Sequence, residues 1–332
     1  MTGAFSYTGR FIARRLLADG RRVRTLTRHS DPTGELSGRV EVAPLDFRRA
    51  DALTEALRGA DALYNTYWIR FPHRDSTYDR AVANTRTLLD CAGRAGVRRF
   101  VQLSVTNAEA SSTLPYFRGK AAVERDVSCS GLSFAIVRPT LIFGPGDILV
   151  NNIAWLLRSF PVFLVPGSGD YLVQPVSVED TAGIAIGAGR LDDDLVLDAA
   201  GPELYPFADL VRLVVRATGA RARIVHVPSG LALGLSRLIG ALRRDVLLTS
   251  EELRGLTASL LVSESPPAGT QSFRAWIEAH GPALGRRYVS RARAQLLLPG
   301  AVSGGPSGFG DPSSPVLRSY VLGSDPKYVP IV

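Results

Sequence analysis

In the stretch LPYFRGKAAVE, Tyr116 and Lys120 stand four residues apart behind Pro115, a residue suited to the first turn of a helix, so both side chains leave one helical face. A free tyrosine, with a pKa near about 10, is a poor base at neutral pH. A lysine ammonium and an oxidised nicotinamide close by both favour the phenolate and lower that pKa, which suits the pair to moving a proton on and off an alcohol or carbonyl oxygen. Only two lysines, Lys120 and Lys327, occur in the chain, so chance rarely produces this spacing. The plain alternative is an exposed helix carrying a Tyr/Lys contact.

The chain opens MTGAFSYTG. Gly3 and Gly9 take the outer positions of a GxxGxxG turn, with Ser6 where the middle glycine would stand. Gly3 suits the tight turn, and Gly9 lets the next helix approach the sheet with its N-terminal amides and positive end aimed at a pyrophosphate. Ser6 has a hydroxyl to offer a phosphate oxygen, while its Cβ limits how closely the backbone approaches. The next strand ends Thr27, Arg28, His29, and Asp31 lies beyond it. An acid at the strand end holds the ribose hydroxyls of NAD, whereas an arginine suits a 2′-phosphate. The sequence therefore favours NADP(H), with Arg28 as phosphate partner, and leaves NAD(H) open. Asp46 and Phe47 follow the third strand as a rim for the adenine, and Asn65 ends the fourth beside the ribose.

Short β-rich runs at 22–26, 40–45, 62–66, 99–104 and 133–139 alternate with amphipathic helical patterns at 9–19, 50–58, 78–95 and 115–128. That rhythm defines an α/β fold: a doubly wound parallel sheet, Rossmann-like, with right-handed crossovers. Its first strand is missing from the sequence, because only Met1 and Thr2 precede Gly3. Losing about five buried side chains at roughly 1.5–3 kcal/mol each costs on the order of 10 kcal/mol. Domains have about 5–15 kcal/mol in all, so the sequence implies a start upstream of Met1 or, failing that, a truncated copy that folds poorly.

Residues 1–145 read as the dinucleotide-binding domain and 146–295 as a smaller, mostly helical cap and substrate region, from which the chain is free to re-enter the sheet. Residues 296–332 read as a disordered tail, since 12 of the 16 residues from Pro299 to Ser314 are Gly, Pro or Ser. The formal charge of +8 comes almost wholly from scattered arginines, and no nucleic-acid motif accompanies them. No apolar run reaches the roughly 18 residues a membrane span needs, so neither stable membrane insertion nor nucleic acid is implied and the cytoplasm is the default location. Cys91, Cys129 and four scattered histidines suggest no metal site.

The glycine turn, Asp46, SVTN at 104–107, the Tyr116/Lys120 pair and VRPTLIFGPGD at 137–147 together resemble the short-chain dehydrogenase/reductase superfamily. The stretch 147–182 is similar to its atypical, epimerase-like branch, which contains the NADPH-holding accessory subunit of mitochondrial complex I. The resemblance implies a hydride-transfer oxidoreductase or an epimerase on a small carbonyl or alcohol substrate, with Tyr116 as general acid/base, Lys120 as its electrostatic partner on the nicotinamide ribose, and Ser104 on the substrate oxygen. Thr106 competes with Ser104. Pro139 and Thr140 would approach the nicotinamide amide, and Arg70, Trp68 and Tyr67 would line the substrate pocket or serve structure alone. Asp180 reads as a helix cap. The branch also contains non-catalytic, structural or redox-sensing NADPH holders. A homodimer through the helices at 78–95 and 115–128, or association with a larger complex, is equally compatible with it.

Overall fold

The computed structural model describes residues 1–28, 34–72, 76–243, 245 and 248–290. His29, Asp31 and the tail expected at 296–332 lie outside them. In the first half α1 (Tyr7–Ala18), β1 (Arg24–Thr27), β2 (Glu41–Pro44), α2 (Ala50–Leu57), β3 (Ala62–Asn65), α3 (Tyr78–Arg94), β4 (Arg99–Leu103), α4 (Pro115–Ser128) and β5 (Ser133–Pro139) alternate. Then come β6 (Leu141–Phe143), α5 (Ile148–Ser159), β7 (Val162–Pro166), β8 (Leu172–Val173), β9 (Pro175–Ser177), α6 (Val178–Arg190) and β10 (Leu195–Ala199). The last elements are β11 (Tyr205–Pro206), α7 (Phe207–Thr218), β12 (Arg223–Val227), α8 (Ser229–Arg243), α9 (Ser250–Thr257) and α10 (Phe273–His280).

Four strands lie parallel in the order β10-β5-β4-β3, and β1 pairs in parallel with β2. Met1 to Gly3 join the two groups at the place of the first strand. Thr2 N donates to Tyr64 O at 3.0 Å, Leu26 N to Met1 O at 2.8 Å, and Gly3 N to Leu26 O at 3.3 Å. Late in the chain β10 pairs in parallel with β5 at the edge of the sheet.

Both faces of the sheet are covered, as all-parallel strands require. Phe11, Ile12 and Ala13 of α1 and Ala182, Ala185 and Ile186 of α6 cover one face, and Leu53, Leu88, Leu89, Val123 and Val127 of α2, α3 and α4 cover the other. Arg99 is fully buried in β4. Its guanidinium donates to Ala188 O at 3.0 Å, Asp193 O at 2.9 Å and Ser133 Oγ at 2.6 Å, tying β4 to the α6–β10 connection. A third core of Val150, Ile153, Leu157, Phe163, Leu210, Val214 and Phe273 belongs to the cap. Three small strand pairs stitch the cap together: β6 with β9 and β7 with β12 in parallel, and β8 with β11 antiparallel. Among the described residues no helix is long and apolar enough to cross a membrane.

Candidate active site

Ser6 shapes the entrance to α1. As N-cap its Oγ accepts from Gly9 N at 3.3 Å and donates to Gly3 O at 2.7 Å, so its proton is held inside the turn rather than offered to a phosphate. Both glycines are required by contact. A Cβ on Gly9 would lie 2.0 Å from Gly3 O, and one on Gly3, whose φ is +64°, would lie 2.8 Å from Thr66 Oγ1. The turn therefore sets the first amides of α1, those of Tyr7 and Thr8, at the positive end of the helix.

The turn, the C-terminal ends of the central strands and the cap enclose a cavity of about 920 Å³, near the top of the roughly 300–1,000 Å³ range of small-molecule sites. Ser6, Tyr7, Thr8 and Thr66 form one wall, and Ser104, Tyr116, Lys120, Pro139 and Thr140 form the next. Tyr7 Oη and Trp68 Nε1 are buried in this wall without a hydrogen-bond partner. A glycine cradle closed to any side chain, open helix-terminal amides and two unmatched polar atoms fit the phosphates, ribose and amide of NAD(P)H.

Tyr116 and Lys120 do leave the same face of α4, but they are not hydrogen-bonded to each other. Lys120 Nζ donates to Leu103 O at 2.9 Å and lies 4.7 Å from the centroid of the Trp68 ring. The same indole meets Tyr116 edge-on at 6.1 Å. Burial lowers the lysine pKa from 10.5 to about 7, with Glu124 opposing. Burial likewise raises Tyr116 to about 12, with Arg70 opposing. The spacing leads one to expect an ammonium that favours the phenolate, whereas here desolvation is the largest cause for both groups and favours the neutral phenol and the neutral amine.

Ser104 and Thr106 separate cleanly. Ser104 faces the cavity, while Thr106 Oγ1 donates to Asp198 Oδ2 at 3.2 Å and is absent from the lining. The Ser104 hydroxyl donates to the buried Glu124 carboxylate, which also pairs with Arg138. Glu124 was missed in reading the sequence. Its signal was present, because Tyr116, Lys120 and Glu124 repeat every four residues along α4.

Asn65 is not brought to the cavity. It is fully buried, accepts from Thr2 Oγ1 at 2.8 Å and Tyr67 N at 3.2 Å, and donates to Gln102 Oε1 at 2.8 Å. This network fixes Met1–Gly3 against β3, so its role is structural and not that of a ribose ligand. At the other end of the crevice, Leu45 N donates to Thr27 O at 3.0 Å, which sets exposed Arg28 near Asp46 and Phe47. Asp46 pairs with Arg48 at 3.1 Å, and Phe47 packs on Tyr67 at 4.9 Å. Trp68 and Arg70 line the cavity, but Tyr67 does not. The α6 cap is Ser177; Asp180 instead accepts from Thr270 N at 2.9 Å and Gln271 N at 2.8 Å, pinning the segment that leads to α10.

A parallel α/β sheet with a glycine turn and a cavity at its carboxyl edge is the arrangement of dinucleotide-binding folds. Residues 3–145 match a family model described as NAD(P)H-binding. The NADH-ubiquinone oxidoreductase 40 kDa subunit of Neurospora crassa is 28% identical over 236 residues, covering 68% of this chain and 61% of the relative. Sterol demethylase protein B of Methylococcus capsulatus is 33% identical over 199 residues, covering 52% of this chain and 61% of the relative. The chain thus spans about three-fifths of the length of these relatives. The NADPH-dependent quinone oxidoreductase of Escherichia coli, complexed with NADPH, shares the fold with a TM-score of 0.67 at 17% identity, over 84% of this chain and 98% of that one. The chain thus carries an NAD(P)H-binding domain over residues 3–145, has epimerase-like structural neighbours, and is similar in sequence to complex I subunits.

Proposed function

We propose that the protein is an NADP(H)-dependent oxidoreductase acting on a carbonyl or alcohol. The observation that carries this reading is the convergence of Tyr116, Lys120 and Ser104 on one cavity with the glycine turn. NADPH, when bound, supplies the hydride that goes to the carbonyl carbon. Tyr116 Oη gives its proton to the carbonyl oxygen, and in the reverse direction takes it back. Lys120, on the same helical face, holds the nicotinamide ribose and biases the phenol. Glu124 accepts a hydrogen bond from the Ser104 hydroxyl, which leaves the Ser104 lone pairs to accept from Tyr116 and so aim its hydroxyl. Arg28, exposed at the end of β1, is the partner for a 2′-phosphate and the reason to favour NADP(H) over NAD(H).

A second reading is a protein that holds NADPH as a structural or redox-sensing group. It is favoured by the Lys120 ammonium being engaged by Leu103 O and Trp68 rather than by Tyr116. In that role α3 and α4, tied side by side by the Arg86–Asp126 pair at 2.7 Å, form the face for a second copy or a larger complex. Nicotinamide fluorescence on titration with NADPH and NADH, followed by addition of carbonyl compounds, separates the readings. Turnover abolished by Tyr116→Phe supports the enzyme; tight NADPH binding with no change of its redox state supports the holder; no binding by the folded protein overturns both.

A further inference from the structure

We infer that the substrate side of the cavity takes a carbonyl compound with a long apolar body, a lipid-like ketone or its alcohol, and not a nucleotide sugar. The inference rests on the oxidoreductase reading and names its substrate class. Apolar side chains predominate in the cavity wall, and polar ones that interrupt it on the cap side, Asp147, Asn152, Glu251 and Glu252 among them, are committed to other partners. The hydroxyls and the ammonium gather at the sheet edge around Ser104, Tyr116 and Lys120. Beyond them the wall is built by α5, β7, α8 and α9, through side chains such as Leu149, Ile153, Leu156, Phe163, Leu235 and Ile239.

Charge argues the same way. Among the described lining residues the cations are Lys120 and Arg70, and the acids are Asp147, Glu251 and Glu252. Arg70 is paired with Glu252 at 3.2 Å, and Lys120 is buried under Trp68. Glu251 accepts from Tyr78 Oη at 3.1 Å, and Asp147 caps α5 through Val150 N at 2.7 Å. A diphosphate in the cap would meet three carboxylates and no uncommitted cation, and two unpaired negative charges are costly to bury. A neutral apolar chain has no such penalty and gains from every methylene removed from water.

Length also fits. The apolar wall reaches the surface at Phe160 and Val162, which line the cavity yet remain 39% and 41% exposed. A chain entering there runs inward past α8, whose Ala232, Leu235, Ser236 and Ile239 recur at helical spacing along its inner face. The carbonyl end then meets Tyr116 at the polar end.

The test uses two polarity-sensitive ketones that differ in chain length alone, the propanoyl and dodecanoyl dimethylaminonaphthalenes prodan and laurdan. We expect laurdan to bind the whole protein with a blue-shifted emission and at least about a hundredfold more tightly than prodan, the gain from burying three or four methylenes at about 0.8 kcal/mol each. UDP-glucose should not displace it, and Leu235→Glu should weaken laurdan at least about tenfold. Equal affinity for the two ketones, or displacement of laurdan by UDP-glucose, overturns the inference whether or not the variant folds. NADPH titration of the same sample keeps the two ideas apart. NADPH binding without a chain-length preference sinks the lipid-like substrate alone, whereas a chain-length preference without NADPH binding sinks the oxidoreductase reading alone.

Discussion

Replacing Lys120 by methionine should stabilise the protein near neutral pH and flatten its stability-versus-pH curve. Lys120 is 3% exposed, and burial lowers its pKa from 10.5 to about 7. Below about pH 7 the lysine is charged in both the folded and unfolded states, so folding bears the full desolvation penalty. Between about pH 7 and its ordinary value of 10.5, the unfolded chain binds the proton that the native protein has lost. Stability therefore rises with pH across that window. At about 1.4 kcal/mol per pKa unit, linkage gives a rise of about 2 kcal/mol between about pH 7 and about pH 9 from this one side chain. The informative quantity is consequently the difference between wild type and Lys120→Met, read from urea unfolding at several pH values. Parallel curves for the two proteins would refute the reasoning, because they would mean that the Lys120 ammonium is solvated in the native state.

Other expectations follow from the same contacts. Gly9→Ala should abolish NADPH binding, since its methyl would lie 2.0 Å from Gly3 O, and nicotinamide fluorescence on a protein shown to be folded by circular dichroism checks it. Asn65→Ala removes the acceptor of the buried Thr2 hydroxyl and the donor to Gln102 Oε1, while Tyr67 N keeps Thr2 Oγ1, and should cost about 1–3 kcal/mol in urea unfolding. Arg28→Ala should weaken NADPH by about tenfold and leave NADH unchanged, as measured by paired titrations, if its guanidinium meets the 2′-phosphate.

Much of the sheet was legible because buried parallel strands and amphipathic helices have distinct periods. The runs at 62–66, 99–104 and 133–139 fall on β3, β4 and β5, and the helices at 78–95 and 115–128 fall on α3 and α4 within a residue at their ends. The cap was less legible. Its strand pairs β6–β9, β7–β12 and β8–β11 join segments far apart in the chain, and a two- or three-residue strand has no period to read. Within 146–295, read as mostly helical, β12 appears because it has β7 to pair with.

The sequence by itself determined that a glycine turn leads into a helix, and that Tyr116, Lys120 and, unremarked, Glu124 share one face of α4. Backbone sterics and the helical period are local, so neighbouring residues suffice to set them. Only the tertiary structure decided what those side chains touch. Leu103 O and Trp68 take the lysine, Glu124 accepts the Ser104 hydrogen bond, Asp198 turns Thr106 away, and Thr2 and Gln102 claim Asn65. Each of these choices depends on desolvation and on partners brought from distant strands, and neither is written in the spacing of residues along one helix.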